Sequence, residues 1–248
     1  MSPAKLSRLG NWLNTGLGFF YPESCQICNG HRAAPGEGYV CADCWTDVRF
    51  IHAPFCERCG LPYDGEITSF FECSNCREME LHFSSARSAV VARGLVLDVI
   101  HRYKYSRALW FEPFLADLLI RQAKPVLANE KWDLIVPVPL HALKKREREF
   151  NQAERLATHL SRATSIPVGS DILERVEFTR TQTKLTRTQR AANVRHAFRL
   201  RKTAHLDGQR IILLDDVLTT GATTSACARV LQMAGAGDVC VWTVARGL

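Results

Sequence analysis

The sequence predicts an α/β protein, with a mostly parallel sheet flanked by helices and a small cysteine-rich metal module ahead of it. Eight of the ten cysteines form four Cys-x-x-Cys pairs before residue 77. Much later, the aliphatic run 211–214 ends at Asp215 and Asp216. Such a run is typical of a buried parallel strand, and α/β sheets bind ligands at the carboxyl ends of their strands. We therefore expect a metal module followed by a ligand-binding domain.

The N-terminal segment, residues 1–20, has its apolar residues at helical spacing: Leu6, Leu9, Leu13, Leu17 and Phe20. This spacing predicts an amphipathic helix that docks on the protein, or alternatively on a membrane surface or a partner. Asn11 and Asn14 interrupt any signal-type apolar core, and the chain has no run of 18 apolar residues. We therefore expect a cytoplasmic protein without a transmembrane segment.

The cysteine-rich module, residues 21–82, has the spacing of a double zinc ribbon. Two residues separate the cysteines of each pair, and the pairs within each expected site are separated by 12 and 13 residues. Two such pairs complete a tetrahedron of thiolates around one zinc ion. Disulfides are the alternative, but the absence of a signal peptide argues against them; iron–sulfur or redox roles and interleaved pairing stay open. The predicted structural zinc sites are Cys25, Cys28, Cys41 and Cys44, and Cys56, Cys59, Cys73 and Cys76.

The α/β domain is expected over residues 83–248. Residues 86–92 predict its first strand, and Leu95, Val99 and Tyr103 mark one face of the helix that follows. A second helix carries the apolar residues 114–119 and is expected to end before Pro125. Residues 133–139 predict a strand that runs into a proline-rich turn. The last strand, residues 239–244, is expected to close the sheet.

A basic stretch follows the proline-rich turn. The net charge of the whole chain is +7, while residues 141–202 alone contain 15 Lys and Arg against 6 Asp and Glu. This balance suits a polyphosphate ligand, single-stranded nucleic acid, or both. Residues 140–152 predict a cationic loop at the end of a central strand, in which Arg146 and Arg148 offer donors for a pyrophosphate. Without a phosphate motif downstream, a solvated basic loop would be the preferred interpretation.

The polar run 175–197 has no convincing apolar face until its end. Long polar insertions between strands are often mobile lids. Among its cations are Lys184, Arg187 and Arg190. As part of a lid they would close over a bound diphosphate; alternatively, they would contact nucleic acid. The sequence does not separate these two interpretations.

The acids at 215 and 216 are followed by the loop Thr219, Thr220, Gly221, Ala222 and Thr223 and by a helix predicted over residues 222–234. Free N–H groups and the positive end of the helix dipole make this loop an anion site. The two acids suit hydroxyl groups, or a metal ion, carried by the same ligand as the anion. The expected ligand is therefore a ribose 5-phosphate with a second, metal-bound group. The motif is neither a Walker A loop nor a dinucleotide fingerprint, because no Gly-Lys-Ser/Thr follows and residues 235–237 precede a strand.

The strand, acidic pair and Thr-Thr-Gly-Ala-Thr loop together resemble the signature with which type I phosphoribosyltransferases bind phosphoribosyl pyrophosphate (PRPP). Over about residues 20–248 the ordered motifs resemble the ComF (GntX-like) family of competence and DNA-utilisation proteins. These motifs are the Cys-x-x-Cys pairs, Val136-Pro137-Val138-Pro139, Phe150-Asn151-Gln152, Thr181-Gln182, Arg190, Asn193-Val194, Phe198 and residues 215–223. The resemblance implies a type I phosphoribosyltransferase fold behind a double zinc ribbon.

The resemblance also implies chemistry. Mg²⁺-bound PRPP would place its 5-phosphate on Thr219–Thr223, its ribose hydroxyls on Asp215 and Asp216, and its diphosphate on Arg146 and Arg148. A nitrogen nucleophile would then displace pyrophosphate, with one Asp accepting a proton. The rival expectation is a non-catalytic PRPP sensor that binds single-stranded DNA for the DNA-uptake machinery. Glu149 departs from the family, which commonly has Gly before Phe-Asn-Gln.

Overall fold

A computed structural model describes residues 23–63, 65, 73–177, 194 and 196–248. The predicted amphipathic segment 1–20 lies outside the described residues, as do Lys184, Arg187 and Arg190 of the polar run. Within the described residues, no helix is long and apolar enough to span a bilayer.

The predicted parallel sheet is confirmed. It has the strand order β1-β6-β5-β2, and each neighbouring pair is parallel. A separate antiparallel pair joins β3 to β4. The strands are β1 Ser85–Val91, β2 Leu134–Pro137, β3 Leu173–Arg175, β4 Phe198–Leu200, β5 Arg210–Leu218 and β6 Asp238–Arg246.

Two predictions about these strands are corrected. The last strand, β6, does not close the sheet at an edge, because it lies between β1 and β5 and pairs with both. All nine of its residues except Asp238 are buried, and a strand covered on both faces gains most at the centre of a parallel sheet. In addition, β5 does not end at the acids: Asp215 pairs with Thr243 and the strand continues to Leu218.

The helices cover both faces of the sheet. The described helices are α1 Ala42–Trp45, α2 Ser74–Glu78, α3 Gly94–Tyr105, α4 Glu112–Leu127, α5 Ala142–Arg148, α6 Gln152–Thr164 and α7 Ala222–Met233. The prediction that the second long helix ends before Pro125 is wrong, since α4 continues to Leu127. Burial of Ala123 and Leu127 favours the extra turn. Pro125 itself is exposed, so the carbonyl that its missing N–H leaves unpaired faces water.

Each face of the sheet has its own apolar core, and each core includes cysteines of one group. Ile212 and Leu214 of β5 point into the first core, with α3, α4, α6 and three cysteines of the first group, since Cys28 is exposed. Ile211 and Leu213 point into the second core, with α7 and the cysteines of the second group. Successive residues of a strand alternate between faces, so the sheet separates the two halves of the cysteine-rich module.

Candidate functional site

The eight cysteines form the two predicted groups, 25/28/41/44 and 56/59/73/76, and the interleaved alternative is not what the structure has. Within each group the sulfur atoms all lie within 4.8 Å of one another. The second pair of each group lies at the start of a short helix: Cys41 precedes α1 and Cys73 precedes α2. These turns direct both sulfurs of a pair to one point.

The sulfur positions fit zinc. A tetrahedron with Zn–S bonds of about 2.3 Å has edges of about 3.8 Å. The Sγ–Sγ distances are 3.7 Å for Cys25–Cys44 and Cys28–Cys41 in the first group. In the second group they are 3.7 Å for Cys56–Cys76 and 3.3 Å for Cys59–Cys73. Four thiolates leave no open coordination position, so both sites are structural zinc sites.

A cleft of about 410 Å³ lies at the carboxyl ends of β2 and β5, which is the edge of an α/β sheet where ligands bind. Its floor is the segment from Asp215 to Thr224. One wall comes from the end of α3 and includes Lys104 and Tyr105, and the other includes Lys144 and Arg148 of α5. The structure therefore brings both predicted acids and the whole predicted anion loop into one cavity.

The two acids point to opposite faces of the sheet. Asp216 has the orientation of Leu214 and is 3% exposed; its Oδ2 lies 2.6 Å from Nζ of Lys104 on α3. Asp215 has the orientation of Leu213, on the face that α7 covers. Burial, and then the charge of Asp216, raise the pKa of Asp215 to about 8 against the opposing effect of Lys104. Asp216 is therefore paired with a cation, whereas burial raises the pKa of Asp215 toward neutral pH.

The loop from Thr219 to Thr223, predicted as an anion site, leads directly into α7. Gly221 is the N-cap of α7 and has φ +88°, a left-handed conformation that costs glycine little. The Ala222 N–H donates to Thr220 Oγ1 at 3.4 Å, and Thr224 Oγ1 donates to the Gly221 carbonyl at 3.0 Å. Thr219 is exposed at the cleft. The first turn of a twelve-residue helix thus faces the cavity beside the two acids.

The predicted cationic loop is wrong in its secondary structure, since residues 142–148 form the helix α5. The His141 side chain starts this helix by accepting from the Leu143 N–H at 3.3 Å. Helix periodicity separates the two predicted arginines. Arg148 faces the cleft and stacks on Tyr105, with its guanidinium carbon 4.9 Å from the ring centroid. Arg146 is exposed and is not among the residues that line the cleft.

Glu149 terminates α5 in the left-handed conformation, with φ +68°. Glycine adopts this backbone without strain, so a glycine at this position would fit the turn better than Glu149 does. The Glu149 carboxylate lies 2.9 Å from the Arg107 guanidinium, and both side chains are more than half exposed. Glu149 is not among the residues that line the cleft.

Comparisons with known proteins agree with this geometry. The double zinc ribbon domain family matches residues 16–79. Competence protein F of Haemophilus influenzae is 30% identical over 237 residues, which cover 92% of this chain and 98% of the relative. The DNA utilization protein YhgH of Escherichia coli is 30% identical over 230 residues, again 92% of this chain and 98% of the relative. The chain belongs to the ComF family.

The architecture predicted for this ComF chain, a mostly parallel sheet flanked by helices behind an N-terminal double zinc ribbon, is confirmed. Among solved structures, the adenine phosphoribosyltransferase from Saccharomyces cerevisiae is 14% identical, with a TM-score of 0.36 and coverage of 58% of this chain and 72% of that one. The division of the chain at residue 83 stays a prediction.

Sequence reasoning missed three cations near the ComF cleft. Lys104 ends α3 and pairs with Asp216. Arg175 ends β3 and lines the cleft on the side of Asp215; burial lowers its pKa, and the charge of Asp215 partly opposes that shift. Arg246 ends β6 and reaches the start of the anion loop. Each of these residues lies at the carboxyl end of a helix or strand. From the sequence alone this position says little about a role in the cleft, because only the sheet topology shows which ends lie close together.

Proposed function

We propose that this ComF-family chain binds Mg²⁺-bound PRPP and transfers its phosphoribosyl group to a nitrogen nucleophile, with release of pyrophosphate. The observation that carries the proposal is the Thr219–Thr223 loop, which opens α7 in one cleft with Asp215 and Asp216. The names of the relatives, competence protein F and DNA utilization protein, support a role in the uptake or use of external DNA.

The 5-phosphate of PRPP would lie on the Thr219–Thr223 loop. The N-terminus of α7 offers backbone N–H groups and the positive end of the helix dipole. Thr219, which is exposed at the cleft, adds a hydroxyl donor. These groups recognise a dianionic phosphate without any cationic side chain in the loop itself.

Asp215 and Asp216 would hold the ribose hydroxyls from the two faces of β5. Mg²⁺ bound to the diphosphate would neutralise charge on the leaving group. Asp216 lies 2.6 Å from the Lys104 ammonium and suits the role of an acceptor for a ribose hydroxyl. Asp215 has a pKa of about 8 and suits the role of a base that accepts a proton from the nucleophile.

The diphosphate would lie toward α5, where Arg148 and Lys144 line the cleft. Arg offers a planar fork of donors for phosphate oxygens. Lys184, Arg187 and Arg190 are proposed to reach the same group from the polar run, and Arg146 is proposed as a longer-range contact. As pyrophosphate leaves, positioned cations stabilise the departing charge, and this positioning supplies most of the rate enhancement.

A second candidate function is a PRPP sensor that binds single-stranded DNA without turnover. The observation that favours it is the stack of Arg148 on Tyr105, which is 56% exposed at the mouth of the cleft. Exposed aromatic rings beside cations are the usual platform for unpaired bases. The basic residues of α5 would extend that platform along a phosphate backbone.

The test is isothermal titration of PRPP with Mg²⁺ into the zinc-loaded protein and into the variant Asp215→Ala/Asp216→Ala. We expect binding by the wild type, loss of binding in the variant, and unchanged zinc content. Unchanged PRPP affinity in the variant would contradict the site. Two further assays separate the two functions. Pyrophosphate release, measured with a panel of nucleobases and amines, tests for transferase activity. DNA binding, measured at several salt concentrations with and without PRPP, tests for the sensor.

A further inference from the structure

The second zinc site touches the anion loop through a buried arginine. Arg246, at the end of β6, is 1% exposed. Its Nε donates to the Cys59 carbonyl at 3.3 Å, and its Nη1 donates to the carbonyls of Leu218 at 3.1 Å, Gly247 at 2.6 Å and Thr219. One guanidinium therefore joins the backbone of a zinc ligand to the backbone that opens the Thr219–Thr223 loop.

An asparagine between two zinc ligands makes a second link. Asn75 lies on α2 between Cys73 and Cys76 and is 4% exposed. Its Nδ2 donates to the Thr220 carbonyl at 3.3 Å. Three consecutive carbonyls, those of residues 218–220, thus accept hydrogen bonds from Arg246 or from the zinc-site helix.

The chain that follows the second zinc site covers the same loop. A Cβ at Gly221 would lie 3.3 Å from Cδ2 of Leu81 and 3.6 Å from Cζ of Phe83. The Ser225 hydroxyl, in the first turn of α7, donates to the Glu80 carbonyl at 3.0 Å and accepts from the His82 N–H at 3.0 Å. Side chains and backbone after Cys76 therefore hold both the loop and the start of its helix.

We infer that Arg246 and Asn75 are positioning residues through which the second zinc site holds the phosphate loop in its binding conformation. PRPP affinity then depends on the second zinc site and not on the first. This inference rests on the proposed function, because it assigns the loop to the 5-phosphate of PRPP.

The planarity of the peptide bond gives the physical reason. In a trans peptide the carbonyl of one residue and the N–H of the next point in opposite directions. Carbonyls 218–220 point to Arg246 and Asn75, so the N–H groups of Thr219, Thr220 and Gly221 point away from the zinc ribbon. Thr219, Thr220 and Gly221 line the cleft, whereas Asn75 and Cys59 are not among its lining residues. Fixing the carbonyls therefore directs three donors toward the anion.

The first zinc site has different neighbours among the described residues. Trp45, directly after Cys44, packs edge-on against Phe114 of α4 with ring centroids 4.9 Å apart. A Cβ at Gly38 would lie 2.6 Å from the Phe114 nitrogen, so this ribbon also approaches α4 closely. No hydrogen bond recorded for the described residues joins the first group of cysteines to residues 218–224.

The two zinc sites offer a matched pair of variants, Cys76→Ser and Cys44→Ser. Each cysteine is 8% exposed and is the last ligand of its site, within a short helix. We expect about one zinc ion per chain in both variants, since a site with three thiolates binds zinc less tightly. Titration of PRPP with Mg²⁺ should show about a tenfold weaker Kd for Cys76→Ser and less than a twofold change for Cys44→Ser.

Two further variants test the link with both zinc ions in place, and they also decide the outcome if Cys76→Ser does not fold. Arg246→Lys keeps the charge, but one ammonium cannot span Cys59 and Thr219 at once. We expect about a tenfold weaker PRPP Kd for Arg246→Lys and about threefold for Asn75→Ala, with two zinc ions retained. Arg210→Lys, at the opposite end of the sheet beside Trp132, is the control and should keep the wild-type Kd.

The outcomes separate the inference from the function on which it rests. A wild-type protein that binds no PRPP at millimolar concentration overturns the proposed function, and the inference with it. A wild type that binds PRPP, with Arg246→Lys and Asn75→Ala binding equally well, overturns the inference alone. If Arg246 and Asn75 only stabilised the fold, their variants would unfold at a lower temperature. Their PRPP Kd, measured well below that temperature, would then be unchanged.

Discussion

The two zinc sites have the same four ligands and similar spacing, yet they contact different parts of the molecule. The first packs against α4 through Trp45 and Phe114. The second contacts the loop that opens α7, through Asn75 and Arg246. Ligand spacing therefore specifies the metal and its geometry, while the residues between and after the ligands determine what each metal supports.

The two faces of the sheet differ in the same way. Asp216 lies on the face of the first zinc site and is paired with Lys104. Asp215 lies on the face of the second, where burial raises its pKa to about 8. We interpret the first face mainly as a source of stability and the second as the support of the cleft, and the predictions below test that division.

The largest expected effect is on stability, from Phe114→Ala on the first face. Phe114 is 1% exposed, and its ring packs edge-on against Trp45. Removing a buried ring costs about 3–5 kcal/mol. Urea unfolding should show this loss, while PRPP titration of the folded protein should give the wild-type Kd. A weakened Kd would mean that the two faces are not independent.

The matching change on the second face is Leu81→Ala. Leu81 is 4% exposed and contacts the loop at Gly221. A buried Leu→Ala change costs about 2–5 kcal/mol, and here the cavity would open directly beneath the loop. We expect both a lower urea midpoint and a weaker PRPP Kd. Lost stability with an unchanged Kd would argue that the loop holds its conformation without this support.

A smaller effect is expected from Gly221→Ala. A left-handed conformation costs a non-glycine residue about 1–2 kcal/mol, and the new Cβ would lie 3.3 Å from Leu81. PRPP affinity and stability should both fall, as titration and urea unfolding would measure. The control is Gly36→Ala near the first zinc site, where φ is not positive and a Cβ would meet no atom within 4 Å. It should change neither quantity.

The pKa of Asp215 predicts a pH dependence of stability. Its folded value of about 8 lies above the unfolded value of about 3.9, so the folded chain holds the proton more tightly between these values. Stability should therefore fall as the pH rises from 6 to 8 and level off above the folded pKa. Thermal unfolding at several pH values should show a shallower decline for Asp215→Asn. Equal slopes in both proteins would contradict the raised pKa.

The smallest effect is expected from Glu149→Gly, which lies in neither zinc site. Glycine removes the cost of φ +68°, about 1 kcal/mol. The exposed ion pair with Arg107 that is lost contributes little, because water screens it. We expect urea unfolding to show a gain of about 0.5–1 kcal/mol, with zinc content unchanged. Destabilisation would instead show that the Arg107 contact outweighs the backbone strain.

Local patterns in the sequence predicted a large part of this fold. The Cys-x-x-Cys spacing, the strand that carries Asp215 and the loop before α7 each depend on residues close together in the chain. Strand alternation also separates Asp215 from Asp216, although the adjacent acids suggested a single pair. The helical phase of α5 likewise distinguishes Arg148 from Arg146 once a helix replaces the predicted loop.

What the sequence did not predict depends on tertiary neighbours. Pro125 ordinarily ends a helix, but burial of Leu127 outweighs that local preference. Two partners of Arg246, Leu218 and Cys59, lie 28 and 187 residues away along the chain. No local pattern relates such a residue to an anion loop or to a zinc ligand, because only the order of strands in the sheet brings them together.

The central place of β6 has a consequence for synthesis on the ribosome. Among the described strands β6 is the last in the chain, yet it alone joins β1 to β5. Until residues 238–246 leave the ribosome, β1 and β5 are not joined, although β1 already bonds to both zinc-bearing halves through Ile51 and Arg58. The nascent protein would thus expose the facing edges of β1 and β5 until late in translation, and the wall of the cleft that α3 supplies would join its floor only in that last step.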